Sequence, residues 1–220
     1  MNCSDYSPAK PVLAKTSNML DTLSIMTDSQ IHLLIAQRVR ELRAARGQSL
    51  EALAAHCGVS RSMLSLIERG ESSPTAVVLE KLATGLGVTL ASLFEAPAAA
   101  GEPVSRRAQQ QSWRDPHSGY VRRNVSPAGV ASPIQLVEVE FPPLARVAYE
   151  TAAREPQVHQ QVWVLEGVIE ITYGEELFRL DAGDCFAMVL DRPMAFHNPT
   201  GETTRYAVAI TTTNTANFRS

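Results

Sequence analysis

Ser49 to Gly70, SLEALAAHCGVSRSMLSLIERG, limits what this chain can fold into more than any other stretch. Leu50, Leu53, Ala54 and Cys57 recur at the spacing of one helical face, and Ser49 stands where an N-cap accepts a backbone N–H. Gly58 lets the chain turn where a side chain would be in the way. A second helix starts at Ser60, again an N-cap type. Its Leu64 and Ile67 share an inner face, which leaves Arg61, Ser62, Ser65 and Leu66 outward. A short helix that is apolar inside and small, polar or basic at its outward N-terminal end suits a DNA major groove. Ser60 to Arg69 therefore reads as a recognition helix, although spacing alone fits an ordinary helical hairpin equally well.

The residue details separate these readings. The run GVSRSMLSLIERGESSP resembles the helix-turn-helix of the phage-repressor-like (XRE/Cro) family of transcription regulators, over about Ile31 to Phe94. Its most specific pieces are LAAHCGVS, LSLIERG and the SP that follows. The resemblance implies that Arg61, Ser62 and Leu66 face base edges and that Ser60 meets phosphate; Ser65 and Arg69 complete the expected DNA-binding set. It also implies a structural ion pair between Arg43, near the end of the first helix, and Glu68. Leu50 departs from the family, many members of which carry a glutamine there that helps hold the backbone contact.

A net charge of −3 would argue against a nucleic-acid binder if charge were evenly spread over the 220 residues. Instead Arg38, Arg40, Arg43, Arg46, Arg61 and Arg69 crowd around the motif, and local field matters more than net charge for meeting phosphates. Cys3, Cys57 and Cys185 are far apart and odd in number, which suits a reducing cytoplasm and argues against a disulfide scaffold or structural zinc. Cys57 reads as a core residue. No apolar run approaches the ~18 residues of a membrane span. Residues 1–30 are mixed, polar and rich in Ser and Thr, without the apolar core of a signal peptide, and read as a flexible tail.

Residues 31–95 read as one all-α, five-helix domain. Leu34, Ile35, Val39 and Leu42 give the first helix its apolar face, with Gly47 as a stop. Ser73 and Pro74 are expected to open the fourth helix, and Thr89 to Phe94 to form a short fifth. Residues 96–104 have linker composition, small residues with two prolines and a glycine. Beyond them the period changes to two: Ile134–Phe141, Gln157–Leu165, Val168–Tyr173, Leu177–Leu180, Cys185–Leu190 and Tyr206–Thr212 are short β-rich runs separated by turn residues. An all-β domain is expected over 105–220.

Within it, VWVLEGVIEITYG and LDAGDCFAMVLDRPMAFHNPTGE resemble the two signature stretches of the cupin family, a small jelly-roll barrel. That resemblance implies a metal on histidines and a glutamate. Residue by residue the ligands are gone: the glutamate position falls on Gln160, the paired histidines fall near 154–156 where there is none, and the second-stretch histidine position is Met194. His159 and His197 sit an odd number of residues from those positions, so strand alternation turns them to the opposite face. No metal, no other cofactor and no catalytic residues are expected. What remains is a mostly apolar effector pocket of Gln160, Val162, Val164, Met194 and Phe196, with side chains that simply fill the barrel as the alternative. Trp113, Arg114, Asp115 and Tyr120 to Arg123 read as closing the barrel or making a dimer contact, or, for Arg122 and Arg123, as a solvated loop.

The chain thus reads as two domains, an all-α repressor-like helix-turn-helix domain followed by an all-β cupin domain. The function expected is a cytoplasmic, sequence-specific transcription regulator, homodimeric, binding double-stranded DNA operators and a small-molecule effector. The competing readings are a cupin enzyme fused to a DNA-binding domain and an antitoxin-like repressor whose β-domain only dimerises or docks a partner.

Overall fold

The computed structural model describes residues 28–95, 101–153 and 156–213. Most of the expected tail, and residues 96–100 of the expected linker, lie outside them. Helix α1 (Asp28–Ala45) begins three residues earlier than the sequence suggests and buries Ile31, Ile35 and Val39, one residue per turn. Helix α2 (Leu50–Cys57) is capped by Ser49, whose Oγ accepts the Ala52 N–H at 3.1 Å, and it ends on Gly58 at φ 62°. Helix α3 (Arg61–Glu68) is capped in the same way by Ser60, whose Oγ accepts from Met63 at 3.1 Å.

Helix α4 (Ala76–Gly85) corrects the sequence reading. Thr75, not Ser73, is its cap, because its extended backbone aims Oγ1 at the Val78 N–H, 3.4 Å away. The expected fifth helix is a single 3₁₀ turn, Ala91–Phe94. Thr89 Oγ1 accepts the Ser92 N–H at 3.1 Å, which closes a tight turn over too few residues for an α-helix. No helix among the described residues is long and apolar enough to cross a membrane.

Helices α2 and α4 touch at Cys57 and Gly85. A Cβ added at Gly85 would lie 2.3 Å from Cys57 Sγ and 3.2 Å from the His56 ring. Burial pushes the Cys57 thiol up to about 11, so it stays neutral and serves as packing. Gly85→Ala is therefore expected to cost about 1–3 kcal/mol through overpacking, more than the ~1 kcal/mol alanine returns in helix propensity. Urea denaturation checks this, and Cys57→Ala in the same chain should recover most of the loss. An unchanged midpoint for the single variant would mean that Cys57 swings aside freely.

The β-domain has ten strands: β1 (Ser112–Arg114), β2 (Val121–Asn124), β3 (Ile134–Phe141), β4 (Arg146–Tyr149), β5 (Gln157–Glu166), β6 (Val168–Tyr173), β7 (Glu176–Asp181), β8 (Cys185–Val189), β9 (Met194–His197) and β10 (Thr204–Thr213). They form a six-stranded sheet in the order β1-β2-β3-β10-β5-β8 and a four-stranded sheet in the order β4-β9-β6-β7, paired antiparallel throughout. Two such sheets facing across an apolar interior make the jelly-roll barrel of the cupins.

The signature stretches are turns and clasps in this barrel. Gly167, at φ 79°, lets β5 fold back into β6 against Thr204, whose Oγ1 exchanges hydrogen bonds with the Val168 backbone at 2.6 and 3.1 Å. Asn198, of the HNP run, is fully buried. Its Nδ2 donates to the carbonyls of Phe141, Pro142 and Glu202, and its Oδ1 accepts from Thr200.

The two domains are packed together. Asp115, 2% exposed in the β1–β2 turn, accepts the Ala76 N–H at 2.9 Å and so caps the start of α4 from the barrel side. Thr89 donates to Gln135 at 2.7 Å. A chain of rings runs from Phe94 through Trp113, Tyr120, Phe141 and Tyr206 to Phe196, with centroids 5.6–6.2 Å apart.

Candidate DNA interface and barrel cavity

Helix α3 presents the outward face that its sequence suggests. Arg61, Ser62, Met63 and Arg69 are exposed, Ser65 and Leu66 are half-buried, and Leu64, Ile67 and Glu68 are inside. Met63, 37% exposed, extends this face and was missed because its long apolar side chain reads as core. The outward side chains are already engaged. Ser60 Oγ is occupied as a cap and lies 3.1 Å from Ser62 Oγ. Arg61 pairs with Glu51 of α2. Arg69 pairs with Glu71 at 2.8 Å and donates to Ser65 at 2.5 Å. Glu51 is held below the usual carboxylate range, first by a hydrogen bond from its own backbone and then by Arg61. These ion pairs are exposed, and such pairs are worth little in water.

Beneath this face, Arg43 grips Glu68 through two parallel bonds, Nε to Oε1 at 2.6 Å and Nη2 to Oε2 at 2.8 Å. Arg43 also donates to the Gln48 carbonyl at 2.9 Å, and Arg40 donates to the Glu68 carbonyl. The bond to Glu68 holds Arg43 above its usual range. This fork ties α1 to the end of α3 and fixes the angle at which α3 is offered. Of the six clustered arginines, half-buried Arg43 is thus spent on Glu68, and Arg38 turns to the domain junction, where it donates to the Ser92 carbonyl at 3.2 Å.

The barrel interior departs from expectation. A cavity of about 50 Å³ is bordered by Gln160, Met194 and Phe196, as the alternation suggests. Val162 and Val164 are fully buried but do not border it, although Val208 and Tyr206, in register with them on the neighbouring strand, do. Glu80 and Leu90 of the helical domain line the cavity as well, so the first domain forms part of its wall. A wider cleft, bordered by Arg38, Phe94, Asn124 and Gln135, lies open on the outside of the barrel.

The largest surprise is Arg122, which is not in a solvated loop. It lies in β2, 7% exposed, borders the cavity, and its Nε and Nη2 have no hydrogen-bond partner. Its guanidinium sits 5.8 Å from the centre of the Phe94 ring. Arg123, its neighbour, faces the other way to pair with Glu138. The short, charged run VRRN hides this arginine from hydropathy reasoning; only its place next to Tyr120 and in a period-two strand carried a signal. Around it stand Tyr120, Tyr149 and Tyr206. Burial pushes the Tyr120 hydroxyl up to about 12 and the other two upward as well, so all three remain neutral.

Cupin barrels commonly carry a metal ion, and these residues do not fit one. An amide and a thioether are poor donors for a hard divalent cation, and the Arg122 charge in the same space repels it. Among the described residues, no three His, Cys, Asp or Glu side chains gather as a metal site. His159 bonds Thr213 at 3.0 Å, and His197 bonds Glu170 at 3.0 Å.

A capped two-helix hairpin with an exposed second helix, on a domain packed against a cupin barrel, defines a DNA-binding transcription regulator. The comparisons with known proteins agree. The helix-turn-helix domain family matches residues 34–95. The HTH-type transcriptional regulator SutR of Escherichia coli is 28% identical over 179 residues, covering 78% of this chain and 91% of that protein. The HTH-type regulator y4dJ of Sinorhizobium fredii is 38% identical over 56 residues, 26% of this chain and 73% of that one. An HTH_3 family transcriptional regulator from Vibrio cholerae shares the two-domain fold, with a TM-score of 0.67 at 26% identity over 84% of this chain and 98% of that one. The chain belongs to the XRE-type helix-turn-helix transcription regulators.

Proposed function

We propose that the protein is a homodimeric, sequence-specific regulator whose barrel senses a small molecule without a metal. The observation that carries the DNA part is the outward face of α3, held at a fixed angle by the Arg43–Glu68 fork. One short helix reaches only a few base pairs, so specificity calls for two copies reading half-sites about 34 Å apart. A dimer is supported by the outer face of the six-stranded sheet. Trp163, 52% exposed, sits in register with Ala207 and Cys185, beside Leu136, Ala209 and Ala187 in the next row. Such a face, with an exposed tryptophan and leucine set among alanines and bordered by Gln161 and Glu138, suits a second copy of itself. Sensing is supported by a cavity walled by both domains, which lets occupancy favour one arrangement of the helices over another.

The test is selection of preferred duplexes from a random pool by the full chain, with its mass in solution measured in parallel. A two-fold repeated site and a dimeric mass are expected; a monomer with no preferred sequence would sink the reading. Arg61→Ala should relax preference at one position of each half-site and cost about 1–3 kcal/mol there, if the arginine reads a guanine through two bonds. Uniform weakening on every sequence would instead make Arg61 a phosphate contact.

A further inference from the structure

We propose that the barrel cavity takes a small carboxylate, gripped by Arg122. This rests on the sensor reading above and names its ligand class. Three observations lead to it. First, Arg122 is more than nine-tenths buried, yet two of its donor nitrogens, Nε and Nη2, have no partner. Buried guanidinium donors are ordinarily satisfied, and an orphaned pair on one edge of the fork is the geometry that a carboxylate fills with two parallel bonds. Second, no protein group fills this edge: nothing bonds Nε or Nη2, and the tyrosines around Arg122 are neutral hydroxyls, those of Tyr120 and Tyr149 lying 3.4 Å apart. Third, the space is small and walled in part by the helical domain. The cavity of about 50 Å³ exceeds the ~10–15 Å³ needed to admit one water and has room for a molecule of a few heavy atoms. Its other walls, Val139, Val147, Leu190 and Met194, suit a short apolar tail, and Gln160 offers an amide.

The same site carries a route to the DNA-binding domain. Glu80, on α4, borders the cavity and attracts Arg122 electrostatically, while Phe94 of the 3₁₀ turn lies beside the guanidinium. A carboxylate on Arg122 repels Glu80 and replaces its attraction, so occupancy weakens one tie that holds α4 to the barrel. A ligand that prefers the loosened arrangement shifts the spacing of the two recognition helices by its differential affinity.

The test uses the full chain, with acetate, propionate and lactate against acetamide, propionamide and ethylamine, read by calorimetry and thermal shift. The acids are expected to bind and raise the melting temperature while the amides and the amine do not. Arg122→Gln should weaken acid binding by at least about tenfold, as expected for loss of a buried charged partner. The acid–amide contrast is read on the unaltered chain, so it stands whether or not the variant folds. If an amide or the amine binds as well as its acid, or if Arg122→Gln leaves acid affinity unchanged, the carboxylate assignment is overturned while a sensor remains. If no acid binds at millimolar concentration the assignment is also overturned. If, in addition, no compound of a broad metabolite panel moves either stability or operator affinity, the sensor reading falls with it.

Discussion

Glu68→Ala is expected to lower stability by about 3 kcal/mol, the low end of the cost of leaving a buried charge unpaired. Glu68 is buried, and both of its oxygens are taken by Arg43. Removing it strands the guanidinium between α1 and α3 with only the Gln48 carbonyl and a narrow opening to water. The pair itself need not be a net source of stability, since desolvating two charges offsets much of their attraction. Replacing both at once, Arg43→Met with Glu68→Leu, should therefore restore stability to within about 1 kcal/mol of the original. Chemical denaturation of the three chains decides it: equal losses in the single and double variants would mean that packing, not charge, is what Glu68 supplies. Operator affinity should fall further in the single variant than unfolding accounts for, because the fork also sets the angle of α3.

Helix α3 and its caps are legible in the sequence because their determinants are local. Ser49, Ser60 and Gly58 act within one turn of where they stand, and Leu64 and Ile67 declare the inner face by spacing alone. The barrel was legible more coarsely. Runs long enough to show alternation, such as IQLVEVEF, are strands, whereas β1, β2, β4 and β9 have three or four residues each and too few alternations to count. Strand parity placed Gln160 and Met194 on the cavity and turned His197 toward Glu170. Parity reports which side of a strand a residue faces, not whether space is left beside it, so it could not separate Val162 and Val164 from the residues that border the cavity. Docking was hidden for a related reason. Asp115 caps α4 across 39 residues of sequence, and nothing near either residue announces the other. Arg122 was hidden because burying a charge contradicts composition, and such contradictions tend to mark functional sites.

That contradiction has a measurable consequence for stability. Arg122→Met is expected to stabilise the ligand-free chain, by about 1–4 kcal/mol, the range seen when buried charges give way to apolar side chains of similar size. Methionine fills the space among Val139, Phe141 and Met194 without asking for donors or acceptors, and it removes the desolvation that pulls Arg122 below its usual range. The variant loses the contact with Phe94 and the attraction of Glu80, but the first is long at 5.8 Å and the second involves no bond to Nε or Nη2. A rise in the denaturation midpoint would mean that the native chain maintains an unfavourable charge in its core, which is the behaviour of a residue kept for a ligand. A fall of similar size would mean that Arg122 is structural, satisfied by water or by its ring and hydroxyl neighbours, and that the barrel is held shut by it. The same measurement on Arg123→Met gives the control. Arg123 pairs with Glu138 and Gln110, so its loss should destabilise. Opposite signs at adjacent positions of one four-residue strand are what a buried, unpartnered Arg122 beside a paired Arg123 requires.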